Sequence, residues 1–380
     1  MSTFVRTIDS YVQGARTLPQ RYYLAPETLA AEWTHIFAEH WLCIGRADQL
    51  ANQGAFIVAN IGAESVMVVR DRKGSGTLHA HFNVCRHRGT RLCTEPSGEF
   101  SETIQCPYHA WTYALDGSLL RAPSMQDIEG FEREEFSLVP AAVAQWEGFV
   151  FVNLSRDPEP FESAFAPVMR RFARFNLPQL TTVRRITYDV QANWKLILQN
   201  YNECLHCPTI HPMLSKVLPY TSGANDLIDG PFLGGYMEIA RPNESATVTG
   251  RVCGPLLGDI SGEDLHRAYY YSLFPNMMLS LHPDYVVSYM VWPLAPTQTH
   301  IVSDWLFHPD SIKHPDFDPS GAIEFWDVTN RQDWAICEQS QLGVASRAYT
   351  PGPYSPRESI PAAWDRTYLR AMQGEVADDT

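Results

Sequence analysis

Positive charge is scarce in this chain. Its 380 residues hold 29 Lys and Arg against 43 Asp and Glu, a formal charge of −14. That balance argues against a nucleic-acid surface or an anionic membrane face, both of which need clustered cations. It permits a cationic substrate or a basic redox partner. Long apolar runs are lacking as well. No stretch reaches the roughly 18 uninterrupted apolar residues of a membrane-spanning helix. The N-terminal residues, Met1 to Ser10, lack a charged start followed by an apolar run, so no signal peptide is expected. Of the eight cysteines, Cys43, Cys93, Cys204, Cys207, Cys253 and Cys337 show no disulfide-framework spacing, which fits a reducing cytoplasm. There is no internal repeat, and no GxGxxG signature follows a strand. The chain is therefore not expected to oxidise a nicotinamide cofactor itself.

The 45% hydrophobic and 12% aromatic content is ample for full cores, and the length predicts about two domains. Residues 1–40 read as one or two helices, with Leu29, Trp33, Ile36 and Phe37 at helical spacing after Pro26. From 41 to 155 short β-type runs alternate with turns: Ala55–Asn60, Ser65–Val69 and Phe149–Val152 are examples. Residues 156–160 read as a linker and 161–176 as helical. Residues 156–380 form a second domain: strands after Thr181, a helix from Asn193 to about His206, strands from Tyr269 to Phe307, and a last long helix from about Pro319 to Val344.

Two loops in the β-rich part each carry one Cys and one His: Cys85-Arg86-His87 and Cys106-Pro107-Tyr108-His109. A zinc finger pairs two Cys on one hairpin with two His on a helix. One of each per loop suits a Rieske-type two-iron cluster, in which one iron takes both thiolates and the other both imidazoles. A structural zinc site and unconnected core residues are the alternatives. Cys93 has no counterpart after Cys106, so a disulfide-braced cluster is not suggested.

The segment from Asn193 to Pro212 is the next most informative. On a straight helix His206 and His211 stand about 140° apart, too far round to share an ion. Pro208 lies between them and is expected to break the helix, letting them converge. Glu203, three residues before His206, falls on the same face. A non-haem iron site needs two His and one carboxylate with open positions. Asp333 is a candidate acid, on a stripe with Ile323, Trp326, Asn330, Ile336, Cys337 and Ser340. Three readings of it compete: metal ligand, partner of Arg331 or Arg347, or solvated acid. Glu338 is an alternative acid. Cys204-Leu205-His206-Cys207 also reads as a zinc motif.

With CRHRG, CPYHAW, NYNECLHCPTIHP and RQDWAICEQSQLG in this order, the chain resembles the α subunits of Rieske non-haem iron oxygenases over nearly its whole length. The resemblance implies an α+β fold: an all-β Rieske [2Fe-2S] domain and a helix-grip (START-like) catalytic domain, an antiparallel sheet wrapped on a long C-terminal helix. It implies that Cys85, His87, Cys106 and His109 hold the cluster and that His206, His211 and Asp333 hold a mononuclear Fe(II). It casts Glu203, where many relatives have Asp, as a carboxylate joining an iron-bound His to a cluster His of a neighbouring subunit in a head-to-tail trimer. Electrons would come from NAD(P)H through a separate flavin and iron–sulfur reductase.

The stretches Tyr270–Pro283 and Asp333–Glu338 look like the branch that oxidises choline, glycine betaine and carnitine. The implied chemistry is monooxygenation: N-methyl hydroxylation with loss of formaldehyde, or hydroxylation of a carbon beside nitrogen. Aromatic faces hold methylated cations, and Tyr201, Tyr271, Phe274, Tyr289, Trp292, Phe325 and Trp326 are candidates, although such residues in strands also simply pack a core. A ring-hydroxylating oxygenase for an aromatic acid is the alternative. A non-catalytic iron–sulfur carrier would need only the first motif.

Overall fold

The computed structural model describes residues 3–71 and 76–373. The chain divides into two compact units: Phe37–Ala164, and Met1–Ile36 together with Phe165–Thr380. These bounds differ by several residues from those read in the sequence. Among the described residues no helix is long and apolar enough to cross a membrane.

The Phe37–Ala164 unit is built on a seven-stranded antiparallel sheet and a three-stranded one. The small sheet runs Thr103–Gln105, Thr112–Ala114, Leu119–Arg121. Strands Ala55–Ile61, Glu64–Arg70 and Leu78–Phe82 pair in sequence order within the large one. Met67 and Val69 point to the same face, as period-two alternation requires, and join a core with Phe56, Ile104, Trp111 and Tyr113. Cys85 and Cys106 belong to that core.

The second unit is an eight-stranded antiparallel sheet. Its edge strand Val5–Arg6 pairs with Ala224–Leu227, so the N-terminal segment begins as a strand, not a helix. The helices Arg21–Leu24 and Pro26–Glu32 follow. This segment is tied down by a buried charge. Glu32, itself fully buried, accepts from Trp194 Nε1 at 2.8 Å and Tyr368 Oη at 2.7 Å, and pairs with the fully buried Lys195. A buried carboxylate is tolerable only with such partners.

The long helix is Ser320–Val344, 25 residues. Asp318 accepts its first free N–H, from Ser320, at 2.9 Å, as an N-terminal cap does. Ala322, Phe325, Trp326, Thr329, Trp334 and Cys337 make its buried stripe. Trp326 Nε1 donates to Tyr285 Oη at 2.7 Å, and Tyr188 Oη to Asp327 at 2.7 Å, which seats the helix on the sheet. It is not the last helix: Ser359–Gln373 follows.

Two other expectations fail. Within 161–176 only Phe161–Ala164 is α-helical. Pro167 removes a donor there, and Asn176 is left-handed (φ +52°). The helix expected from Asn193 to about His206 covers only Trp194–Tyr201, capped by Asn193, whose side chain accepts from Lys195 N at 3.0 Å. It ends because the Glu203 carboxylate takes the backbone N–H groups of Leu205 and His206. The break lies before His206 rather than at Pro208. Pro208 instead sits in the first turn of a new short helix, Cys207–Ile210, where its missing N–H costs nothing.

Candidate functional site

The two Cys-His loops share one backbone pattern. Cys85 N–H donates to Thr90 O at 2.8 Å, and Gly89 N–H returns to Cys85 O at 3.0 Å. Cys106 N–H donates to Trp111 O at 2.8 Å, and Ala110 N–H returns to Cys106 O at 3.1 Å. The residue four after each Cys has positive φ: Gly89 at +75° and Ala110 at +56°. In each loop the turn that follows the Cys carries the His.

The rings of His87 and His109 lie 4.7 Å apart at 70°. Trp111 stacks on His87 with centroids 4.9 Å apart and planes 4° from parallel. Tyr113 Oη is 3.3 Å from Cys85 Sγ and accepts from Arg86 N at 3.1 Å, so its proton is free for the sulfur. Burial pushes the Cys85 thiol up, so apart from a metal it stays protonated. His87 Nδ1 is buried without a partner. An orphaned imidazole nitrogen costs free energy unless it binds something. Two buried sulfurs and two imidazoles on matched turns fit a Rieske cluster. Cys93 remains a free thiol, its sulfur 3.6 Å from Glu95 O.

The second centre brings the two histidines that flank the short helix Cys207–Ile210 to the middle of the long helix Ser320–Val344. His206 Nε2, His211 Nε2 and Asp333 Oδ1 lie 3.1, 3.1 and 2.9 Å from one another. Behind them, His206 Nδ1 donates to Glu203 Oε1 at 2.5 Å, and His211 Nδ1 donates to Gln332 Oε1 at 2.8 Å. Each back-side acceptor fixes the ring proton on Nδ1 and leaves Nε2 as a lone-pair donor. The three front atoms can hold one ion, and the donor set suits non-haem iron. Burial lowers the His206 pKa, but the bonds to Asp333 and Glu203 outweigh it and raise it to about 10. Asp333 is held below the usual carboxylate range against its burial by both histidines. Protons held here would be released on metal binding.

The other readings of these residues find different partners. Arg331 pairs with Asp327 at 3.0 Å, not with Asp333. Glu338 accepts from Gln191 N at 2.9 Å. Cys204 and Cys207 form a disulfide, Cα–Cα 4.9 Å, contrary to the expected lack of pairing. The chain bend around His206 brings these i, i+3 residues within bridging range. Cys207 Sγ lies 3.8 Å from His206 Nε2, but as a disulfide sulfur it offers no thiolate, which removes the zinc reading.

The ligands border a cavity of about 130 Å³. Of the seven expected aromatics, Tyr201 and Trp326 line it. Tyr271, Phe274, Tyr289, Trp292 and Phe325 do not. Tyr271 Oη reaches Asp226 at 3.2 Å, Phe274 packs on Trp364, and Tyr289 donates to Asn330. Phe325 is fully buried under Trp326, and Trp292 lies opposite His300 in the next strand. For Tyr271 the reason is register: neighbours in a strand face opposite ways, and Tyr270 lines the cavity where Tyr271 was expected. Burial keeps the Tyr201 and Tyr270 phenols protonated. Tyr270, Gln332, Tyr220 and Arg357 were missed. Gln332 was findable beside Asp333; the others gave no local signal.

Residues 177–374 match the family model of the ring hydroxylating alpha subunit (catalytic domain), and residues 40–132 that of the Rieske [2Fe-2S] domain. The chain is 33% identical to the glycine betaine monooxygenase oxygenase subunit of Chromohalobacter salexigens over 381 residues, covering 90% of this chain and 82% of that protein. It is 34% identical over 205 residues to the carnitine monooxygenase oxygenase subunit of Escherichia coli K12, 53% of this chain and 54% of that one. The quaternary ammonium Rieske monooxygenase CntA bound to L-carnitine superposes with a TM-score of 0.79 at 25% identity, covering 97% of this chain and 98% of that one. The matched catalytic module and Rieske module together imply a Rieske cluster and a mononuclear iron. The chain belongs to the Rieske non-haem iron oxygenase α subunits, and it is the oxygenase component of an O₂-dependent monooxygenase.

Proposed function

We propose that this oxygenase hydroxylates an N-methyl carbon of a small quaternary ammonium compound. The observation that carries the reading is the convergence of His206 Nε2, His211 Nε2 and Asp333 Oδ1 beside a cavity walled by Tyr201, Tyr270 and Trp326. Those three side chains are the proposed iron ligands, and Cys85, His87, Cys106 and His109 the cluster ligands. When bound, the two iron groups supply single electrons and activated O₂.

The protein's own residues set geometry and exclude water. Glu203 and Gln332 hold both imidazoles in the Nδ1–H tautomer. The ring faces attract a methylated cation, which has no N–H to donate. The balance is one C–H, O₂, two electrons and two protons giving C–OH and water. The N–CH₂OH group then loses its hydroxyl proton, the C–N bond breaks toward nitrogen, and formaldehyde leaves. We place the chain in the cytoplasm as a head-to-tail homotrimer, fed from NAD(P)H by a flavin and iron–sulfur reductase, with Glu203 linking His206 to a neighbour's cluster His.

A ring-hydroxylating role is the weaker reading. Naphthalene 1,2-dioxygenase from Rhodococcus sp. shares the fold (TM-score 0.73, 22% identity, 95% of each chain), whereas the relatives of higher identity act on glycine betaine and carnitine. The test is a single turnover of chemically reduced, iron-loaded protein with O₂ and a mixture of betaines and aromatic acids. Formaldehyde with a demethylated amine supports the reading. A hydroxylated ring without formaldehyde overturns it.

A further inference from the structure

Arg357 stands apart from the other ionic groups of the cavity. It is the only Lys or Arg among the residues lining it. It lies on the short turn Pro356–Glu358 and is partly buried. Its guanidinium sits 5.2 Å from the centroid of the Tyr220 ring, also in the cavity wall. Among the described residues it makes no ion pair and no side-chain hydrogen bond.

The acids beside it in the chain and in the cavity wall have other partners. Glu358 accepts from Ser355 N at 2.8 Å as the return half of a capping box. Within the cavity, Glu203 and Asp333 are taken up by the two histidines. Neither comes within ion-pair distance of Arg357. A guanidinium offers a planar fork of N–H donors suited to a carboxylate. The 5.2 Å contact with the Tyr220 ring engages none of those N–H donors in a hydrogen bond, which leaves them for one.

Deepening the quaternary-ammonium reading on which it rests, we propose that Arg357 anchors a substrate carboxylate, so that the substrate is a zwitterion: a methylated ammonium carboxylate rather than an amino alcohol. A substrate bearing only a cation would meet Arg357 as a like charge. A betaine presents a cation to the Tyr201, Tyr270 and Trp326 rings and an anion to Arg357. The two ends would then fix which methyl group is turned to the iron, which makes Arg357 a specificity-determining residue.

The test is calorimetric binding of glycine betaine and of choline to anaerobic, iron-loaded protein, with formaldehyde release measured in parallel. A charge-assisted pair predicts that the unmodified protein prefers glycine betaine by about thirtyfold. In Arg357→Met, of similar length but uncharged, that preference should collapse toward one, with the loss in KM rather than kcat. Arg357→Lys should restore part of it and guards against a folding defect in the first variant. Equal affinity for both compounds, or a preference unchanged in Arg357→Met, would overturn the anchor while leaving N-demethylation standing. Binding of neither compound, with no formaldehyde, would overturn both readings together.

Discussion

Gln332 Oε1 accepts the Nδ1 proton of His211 at 2.8 Å, one residue before Asp333, whose Oδ1 lies 2.9 Å from the other nitrogen of the same ring, Nε2. A single turn of the long helix thus supplies both a proposed iron ligand and the acceptor that orients another. Removing such an acceptor commonly costs 10- to 100-fold in metal affinity or activity. Gln332→Leu is expected to weaken iron retention about tenfold or more, read as mononuclear iron lost to a chelator over time. Unchanged retention would make Gln332 a bystander.

Asp333→Ala should reduce iron from about three per chain to about two, since a Rieske centre holds two. The visible spectrum of the cluster should survive and product formation should stop. Three irons retained in the variant would shift the ligand role elsewhere. The same count tests the disulfide: Cys204→Ser with Cys207→Ser should keep all three irons, because neither sulfur is a free thiolate.

Glu203→Gln keeps the size and loses the charge. Both metals should remain bound while turnover coupled to the reductase falls by several orders of magnitude. Near-normal turnover would take Glu203 out of the electron route.

Tyr113 Oη lies 3.3 Å from Cys85 Sγ, and hydrogen bonds to the sulfurs raise a cluster's potential. Tyr113→Phe should lower it. A bond worth about 1 kcal/mol corresponds to roughly 40 mV for a one-electron couple. Redox titration followed by circular dichroism reads the shift, and an unchanged midpoint would count against the contact.

Asp365 is buried, and burial pushes its pKa up to about 7, against the opposing effect of donors from Gln199 at 2.6 Å and Tyr354 at 2.8 Å. The folded state therefore holds its proton more tightly than the unfolded chain, whose Asp titrates near 3.9. Stability from this group is present at low pH and is lost as pH rises through about 7. Between pH 5 and 8 the melting temperature should fall, and Asp365→Asn should flatten that slope. A slope unchanged in the variant would assign it to other groups.

The sequence by itself determined the local chemistry. CRH and CPYH name a mixed-ligand cluster because donor types and their pairing are written in adjacent residues. The strands of the first unit and the Ser320–Val344 helix were legible because a single buried face imposes period two or 3.6 on the residues themselves. Only the tertiary structure decided which side chains meet. Tyr270 rather than Tyr271 faces the cavity because strand register is set by pairing with Phe232–Glu238 and Met277–Leu281, not by composition. The chain turns before His206 because a carboxylate side chain outcompetes the helix for two backbone N–H groups, a contest that Pro208 alone did not forecast. Cys204 and Cys207 pair because of that same turn. Arg357 lines a cavity whose proposed iron ligands are residues 206, 211 and 333. Contacts between segments so far apart are selected by packing of the whole unit, and no local pattern records them.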